Sequence, residues 1–418
     1  MQAYRQIETI WGMESAKIIA ALTRMLRDVA LAEDFAHDAL VAALERWQDT
    51  GIPDNPGAWL MMTAKRRAID YLRRIRLRDR KYTEVARNTD WHTEVHELYT
   101  GEDTIEDDLL RLIFMTCHPI LSREARVALT LRLLCGLTTE EIARSFLSAE
   151  SAVAQRIVRA KRTLKEKDVP FEVPEGDELQ ERLATVLEVI YLMFNEGYSA
   201  TSGKEWVRPL LCQEALRLGR MLAAIAPGEP EAHGLVALME LQSSRLKTRV
   251  GRDGQPILLM DQNRAQWDHL LIRRGLAALE RSRAISRTPG PYALQAAISA
   301  CHAQAPTASE TNWPRIAALY EALALTAPSP VVELNRAVAI AMAFGPAFGL
   351  QIIDNLEEQS SLDGYHLLPS VRGDMLARLG RHEEARIAFQ YAASLTRNER
   401  ERTLLLSRAE ECEWEASR

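Results

Sequence analysis

Apolar side chains recur every three or four residues along nearly the whole chain, which is the spacing of one face of an α-helix. Ile18, Leu22 and Leu26 show this spacing near the start, and it continues from Val29 to Leu44. Alternating runs of Val, Ile and Thr, which would indicate strands, are almost absent. The pattern therefore predicts an all-α fold.

Turn-forming residues divide this helical pattern. Residues 51–57 contain two prolines and two glycines together with Asp and Asn, which predicts a loop. Residues 82–102 are polar, mixed in charge and poorly periodic, as expected of a linker. Residues 169–176 hold two prolines and a glycine and form the clearest boundary. The predicted domains are residues 1–81, 103–168 and 169–418, with 82–102 as the linker.

A helix-turn-helix is predicted near the middle of the chain. A short helix over Thr139–Leu147 precedes a tight turn and a longer basic helix over Ser151–Lys165. Val153 and Ile157 lie one helical turn apart, so both can pack back on the first helix. This order is typical of an element that places its second helix in the DNA major groove. Because the turn lacks the usual glycine, a surface hairpin with a solvated basic face is the alternative.

The second helix offers two kinds of DNA contact. Side chains at its N-terminus are best placed for base edges, and arginines further along suit phosphates or guanine. The base-edge candidates are Ser151, Ala152, Ala154 and Gln155. The arginines are Arg156, Arg159 and Arg162.

Charge is distributed unevenly along the chain. The formal net charge of −6 argues against a nucleic-acid protein. However, nine Lys and Arg face two Asp between Lys65 and Lys81, a local charge of +7. Six Lys and Arg face one Glu between Arg156 and Lys167, a local charge of +5. Local clusters of this kind determine the electrostatic attraction to DNA.

Several classes of function lack their sequence signals. The five cysteines are scattered without metal-ligand spacing, which predicts free thiols in a cytoplasmic protein and neither a metal site nor a cofactor. The apolar runs are too short for a membrane span. Phosphate-binding, nucleophile-elbow and zinc-protease motifs are missing, so no enzymatic activity is expected.

The region after residue 169 reads as regularly spaced helix pairs, which predicts an α-solenoid. Its last part places small, turn and aromatic residues at the offsets of a tetratricopeptide repeat: Gly373, Gly380, Ala385, Phe389 and Ala392. A weaker copy over residues 331–356 has Ala337 and Gly349 in the small-residue positions. Earlier in the region, the glycine of Asn195–Tyr198 is interpreted as the end of a helix.

Three segments in order carry a family resemblance. They are Ala32–Leu40 (AEDFAHDAL), Pro56–Arg74 (PGAWLMMTAKRRAIDYLRR) and the helix-turn-helix. Together they resemble a bacterial RNA polymerase sigma factor of the extracytoplasmic-function (ECF) group over about residues 1–167. The long helical remainder resembles the subgroup with a C-terminal tetratricopeptide-like extension. His37 stands where the family often has Gln.

The resemblance implies recognition of a two-part promoter by a protein bound to polymerase. The first domain would bind the β′ clamp and the −10 element, and the second would bind the −35 element and the β flap. The clamp residues implied are Asp34, Asp38 and Leu40. The loop and the helix after it would hold a flipped base and the freed strand. The −10 residues that the resemblance implies are Asn55, Trp59, Lys65, Arg66, Arg67, Arg73 and Arg74.

The predicted function is therefore a sigma factor whose C-terminal helical domain regulates it, with a protein or peptide as that domain's partner. One alternative is a stand-alone helix-turn-helix regulator with a sensory solenoid, which leaves residues 52–81 unexplained. A second is an enzyme that uses the C-terminal part, which requires a convergent polar pocket.

Overall fold

A computed structural model describes residues 2–82, 102–145, 149–200, 206–251, 254–360 and 362–417. These residues form helices, loops and one isolated bridge between Val250 and Pro256, and they contain no β-strand. The predicted all-α class is therefore confirmed. The predicted linker, apart from its end residues Tyr82 and Glu102, lies outside the described residues, as does Ser148 of the helix-turn-helix turn.

The chain forms two compact units, which we call the N-terminal unit (Met1–Val189) and the C-terminal unit (Ile190–Arg418). The helices that begin in the N-terminal unit are α1 Gln2–Leu26, α2 Val29–Thr50, α3 Pro56–Tyr82, α4 Glu102–Thr116, α5 Arg123–Leu134, α6 Thr139–Ser145, α7 Glu150–Glu166 and α8 Gly176–Tyr198.

Helices α1, α2 and α3 pack against one another. The buried face of α2 consists mainly of alanines, which allows close approach of its neighbours: Ala32, Ala36, Ala39, Ala42 and Ala43. Asp28 caps α2 by accepting hydrogen bonds from the Ala30 and Leu31 N–H groups at 2.9 and 3.2 Å. Asn55 accepts one from the Ala58 N–H at 3.0 Å and caps α3, which begins at Pro56, inside the loop predicted over residues 51–57.

Helices α4 to α7 form the second part of the N-terminal unit. Thr138 and Glu141 form a reciprocal cap at the start of α6, with the Glu141 N–H 3.1 Å from Thr138 Oγ1 and the Thr138 N–H 2.8 Å from Glu141 Oε2. Ala149, which has no capping side chain, precedes α7, so Ser151 lies inside the helix. Val153 and Ile157, which the sequence predicts to pack back on the first helix, are buried, and so are Ile142 and Ala143 of α6.

The division between the units falls inside α8, later than the limit at residue 168 drawn from the sequence. Early residues of α8 pack on the N-terminal unit. Arg182 donates to the Phe114 carbonyl oxygen at 2.7 Å, and Arg123 pairs with Glu188 at 2.6 Å. A proline-rich loop thus precedes the helix in which the division occurs.

The C-terminal unit continues with a succession of helices. They are α9 Pro209–Ile225, α10 Pro230–Ser243, α11 His269–Ile285, α12 Pro291–Gln304, α13 Trp313–Thr326, α14 Pro330–Phe344, α15 Pro346–Glu358, α16 Leu367–Arg378, α17 His382–Leu395 and α18 Glu399–Ala416. From α11 onward, each described helix contacts the next one along the chain. Five of these helices begin with Pro at a first-turn position, where the missing N–H costs nothing.

The residues singled out for their repeat spacing pack as helix pairs. A Cβ on Gly373 of α16 would lie 2.9 Å from the Phe389 ring of α17, so only glycine admits that ring. Gly349 of α15 has the same relation to α14, where a Cβ would lie 2.6 Å from the Ala337 carbonyl oxygen. Ala385, Phe389 and Ala392 are fully buried. Assignment to the tetratricopeptide class stays a prediction.

The prediction that the segment Asn195–Tyr198 ends a helix is confirmed, but Gly197 itself lies inside the helix, one residue before its end. Helix α8 continues through Gly197 to Tyr198. A Cβ at Gly197 would lie 2.8 Å from the backbone nitrogen of Cys212, which belongs to α9. The glycine permits close packing of two helices, which local turn chemistry does not reveal.

Candidate nucleic-acid interface

Helix α7 presents its predicted DNA-contacting side chains to solvent along one face. The opposite face, formed by Val153, Ile157, Ala160 and Leu164, is buried. Ser151, Ala152, Gln155, Arg159 and Arg162 are exposed, whereas Ala154 and Arg156 are half-buried. Arg162 pairs with Glu166 one turn later at 2.7 Å, and that pair is largely exposed. Exposed pairs are worth about 0–1 kcal/mol, so Arg162 remains available to DNA.

Helix α3 carries a second exposed cationic stripe. Its members, all predicted for the −10 element, are Arg66, Arg67, Arg73 and Arg74. Asn55, in the loop before α3, is also exposed. Lys65 differs because it is half-buried and interacts with Arg24 and Asp108; burial first, and then Arg24, lower the pKa of its ammonium group. The structure thus separates Lys65 from the stripe.

Trp59 lies at the first turn of α3, between core and surface. It is half-buried and makes an edge contact with the buried Trp47, with ring centroids 5.2 Å apart. The inner part of the indole therefore anchors α3 to α2. Its accessible part borders the loop before α3, where the sequence predicts capture of a base.

The residues predicted to face polymerase lie on α2. Asp34 is exposed and Leu40 is half-buried. Asp38 pairs with Arg67 of α3 at 2.9 Å, which brings together one predicted clamp residue and one predicted −10 residue. The two side chains remain 51% and 43% exposed, so the pair is weak enough to exchange for a partner macromolecule.

Sequence reasoning missed an ionic cluster between α2 and the helix-turn-helix part. Glu33, whose side chain is only 6% exposed, accepts from Arg132 Nε of α5 at 2.7 Å and also binds Lys161 of α7. Arg132 reaches the Leu137 carbonyl oxygen at 3.2 Å and lies 3.5 Å from His37 Nε2. The departure at His37 was visible in the sequence, but its partner lies 95 residues away.

One further ion pair extends this contact. Lys165 of α7 pairs with Asp28, the capping residue of α2, at 2.7 Å. On the other side of α1, Arg24 and Arg111 both bind the buried Asp108 of α4, at 3.1 and 3.0 Å. We call the group formed by Asp28, Glu33, Arg132, Lys161 and Lys165 the inter-region cluster.

The pKa directions identify the acids that depend on this cluster. Burial alone would raise the pKa of Glu33, but Lys161 and Arg132 outweigh it and hold the pKa below its ordinary value. At Asp28, burial is likewise outweighed by Lys165 and by two backbone N–H groups, and the pKa is lowered. At Asp108, burial prevails over Arg24 and Arg111, and the pKa is raised. Glu33 and Asp28 are therefore the carboxylates that the cluster stabilises.

Two known protein families match the N-terminal unit, one over its first helices and one over the helix-turn-helix part. Residues 13–78 match sigma-70 region 2, and residues 111–164 match sigma-70 region 4. The chain belongs to the ECF-type sigma factors and carries a C-terminal extension. Residues 182–283 of this sigma factor match a family of unknown function, DUF6596.

Two relatives place the match in context. Uncharacterized protein R00370 of Rhizobium meliloti (strain 1021) is 42% identical over 382 residues, which cover 91% of the sigma factor and 89% of the relative. The probable ECF RNA polymerase sigma factor SigI of Mycobacterium tuberculosis is 24% identical over 173 residues, which cover 41% of this chain and 59% of SigI. No solved structure matches the sigma factor.

As a sigma factor, the protein directs RNA polymerase, and its partners are the polymerase core and promoter DNA. Sigma factor families are not enzymes. In the part of the chain that the structure describes, no three metal-ligating side chains are grouped. A search of the same residues finds no helix with the length and apolarity of a membrane span.

Proposed function

We propose that α3 and the loop before it bind the −10 element, that α7 reads the −35 element, and that α2 binds the β′ clamp. The observation that carries this is the pair of exposed cationic helical faces, one in each sigma region. On α7 the exposed N-terminal residues suit base edges, and Arg156 and Arg159 suit phosphate or guanine. We also propose that sigma region 4 binds the β flap of the polymerase.

The proposal also requires the inter-region cluster to open. The distance between Arg67 and Arg156 has an upper limit of about 35 Å. The path between them crosses two helix–helix contacts of about 10 Å each, Arg67 to Asp38 and Glu33 to Lys161. It also follows two five-residue stretches of helix of about 7.5 Å each, Asp38 to Glu33 and Lys161 to Arg156. Elements named −10 and −35 lie about 25 base pairs apart, about 85 Å of duplex at 3.4 Å per step. The closed N-terminal unit is therefore too short to contact both elements.

The chain is long enough to allow the opening. The 19 residues from 83 to 101 join the two regions, and a fully extended chain of that length reaches about 65 Å. We infer that polymerase separates the regions by binding α2, which carries both the predicted clamp residues and the acids of the cluster.

A regulatory role for the C-terminal unit is a further part of the proposal. Four of its aromatic side chains are more than half exposed: Phe344, Phe348, Tyr391 and Trp414. Exposed aromatic residues are enriched where proteins bind other proteins. A protein or peptide partner fits the exposure of these aromatic side chains and the large size of the unit.

A mobility-shift experiment distinguishes a sigma factor from a stand-alone regulator. The full chain, with and without core polymerase, is titrated onto promoter DNA from its own upstream region. Because the closed unit cannot contact both elements, we expect specific retention only when core polymerase is present. A specific, equally tight shift by the chain alone would contradict the proposal and favour the regulator.

A further inference from the structure

Three arginines lie together in the segment between α10 and α11. Arg245, Arg249 and Arg264 belong to this segment, and the last two are each only 8% exposed. Arg245 is half-buried and keeps some accessible surface. We call these three side chains the arginine basin. Arginine is almost never this buried unless a carboxylate pairs with it.

The described residues provide no carboxylate for the basin. Arg249 Nη2 donates to the Tyr198 carbonyl oxygen at 3.0 Å. Arg264 donates to the carbonyl oxygens of His302 and Ala305 at 2.9 and 3.0 Å and to Thr311 Oγ1 at 2.9 Å. The Nε atoms of both arginines are buried without a partner. Neutral acceptors therefore hold the guanidinium groups in place without balancing their charge.

Other arginines of the C-terminal unit differ in this respect. Arg208 pairs with the buried Glu196 at 3.2 Å, and Arg220 pairs with the buried Glu240 at 2.7 Å. Where this unit buries a charge beside arginine elsewhere, it thus supplies the opposite charge itself. Among the residues that the structure describes, no carboxylate compensates the basin in this way, and burying an ion without such a partner is costly.

Aromatic side chains surround the basin. The guanidinium carbon of Arg249 lies 3.8 Å from the Tyr198 ring centroid, and that of Arg245 lies 5.3 Å from the same centroid. The Tyr198 hydroxyl is buried, and its side chain hydrogen-bonds Arg249 of the basin. Cation–π contacts orient the guanidinium groups but leave their net charge in place.

The positive charge of the basin also acts on His302, which lies on the neighbouring helix α12. Burial, together with Arg245 and Arg264, lowers the pKa of His302 to about 3, so its ring stays neutral and adds no charge. Burial raises the pKa of Tyr320 to about 12, although the side chain keeps accessible surface. Tyr320, His302 and Arg245 are all half-buried, so each keeps part of its surface accessible to solvent.

We propose that the arginine basin is a binding site for a small oxyanion, a carboxylate or phosphate group of a soluble ligand. Arg245 is the accessible contact, and the Nε atoms of Arg249 and Arg264 are the buried donors left for the anion. The tyrosine hydroxyl and the neutral imidazole supply further polar contacts. The site is independent of promoter recognition, because it uses none of the residues assigned to DNA or polymerase.

Titration calorimetry and thermal unfolding of the full chain test this site. Inorganic phosphate and citrate are compared with chloride at equal ionic strength, which separates phosphate from carboxylate binding. We expect one of the two anions to bind with a stoichiometry of one and to raise an unfolding midpoint above its value in chloride. Arg245→Gln should weaken that binding at least tenfold, because it removes the accessible charge.

Two variants complete the test. Arg273→Gln removes the same charge from an exposed position on α11 and should leave binding within twofold of wild type. Arg249→Gln should abolish binding; should that variant fail to fold, Arg245→Gln alone decides. The proposal is overturned if neither anion binds beyond chloride, or if Arg245→Gln and Arg273→Gln bind it as wild type does.

Discussion

Replacement of Arg156 and Arg159 by Ala is expected to reduce initiation from a promoter that depends on its −35 element by about 30-fold. Each side chain is assigned one phosphate or guanine contact worth about 1 kcal/mol or more, and about 2 kcal/mol corresponds to about 30-fold. If both contacts are to phosphate, the salt slope of promoter binding should fall by about two. Run-off transcription over a range of salt concentrations measures both effects.

The matched control is Arg273→Ala with Arg287→Ala. This pair also removes two arginines, both exposed and both in the C-terminal unit, and its output should equal that of wild type. A template with a scrambled −35 element provides a second control: wild type and the Arg156, Arg159 variant should then perform equally if the arginines contact bases, whereas phosphate contacts predict the same fractional loss on both templates. Undiminished initiation by that variant on the intact template would refute the assignment of α7.

Replacement of Glu33 by Gln is expected to open the N-terminal unit. The change removes the carboxylate that Arg132 and Lys161 share, and loss of one partner of a buried ion pair costs about 3–5 kcal/mol. Arg132 and Lys161 keep 22% and 15% exposure, which reduces the cost. We expect about 2 kcal/mol, an increase of about 30-fold in the ratio of open to closed chains. Distances between spin labels at Asp49 and Glu150 measure this ratio.

Glu45→Gln is the control, because Glu45 is an exposed residue on the same helix. The label distances should not change in that variant. In wild type, the pKa values of Glu33 and Asp28 are lowered in the closed unit, so their ionised carboxylates stabilise the closed form at pH values above about 4. This stabilisation is lost as the pH falls through the lowered pKa values. Identical distances in Glu33→Gln and wild type would show that the cluster does not hold the regions together.

Local periodicity was sufficient to predict the helices and the inner face of the helix-turn-helix. Val153 and Ile157 lie one turn apart, and such spacing fixes which face is buried whatever the rest of the chain does. The Gly373 and Phe389 contact was suggested by spacing alone because both residues belong to one helix pair. Exposure of the arginines on α3 and α7 follows from the same periodicity.

Contacts between residues far apart along the chain could not be predicted from the sequence. Glu33 binds Arg132 and Lys161, which lie 99 and 128 residues further along the chain. No feature of the local sequence distinguishes Glu33 from Asp34 and Asp38 on the same helix. The packing role of Gly197 was missed for a related reason, since it depends on Cys212 of another helix. The arginine basin was also missed, because the distance between Arg245 and Arg264 along the chain hides their common environment.

The most direct test of the whole account is run-off transcription with purified core polymerase, with and without this chain, on its own upstream region. We expect a defined transcript only when both proteins are present, and loss of that transcript when either promoter element is scrambled. A transcript that is independent of the chain, or no transcript from any template under conditions where the chain binds core polymerase, would contradict it.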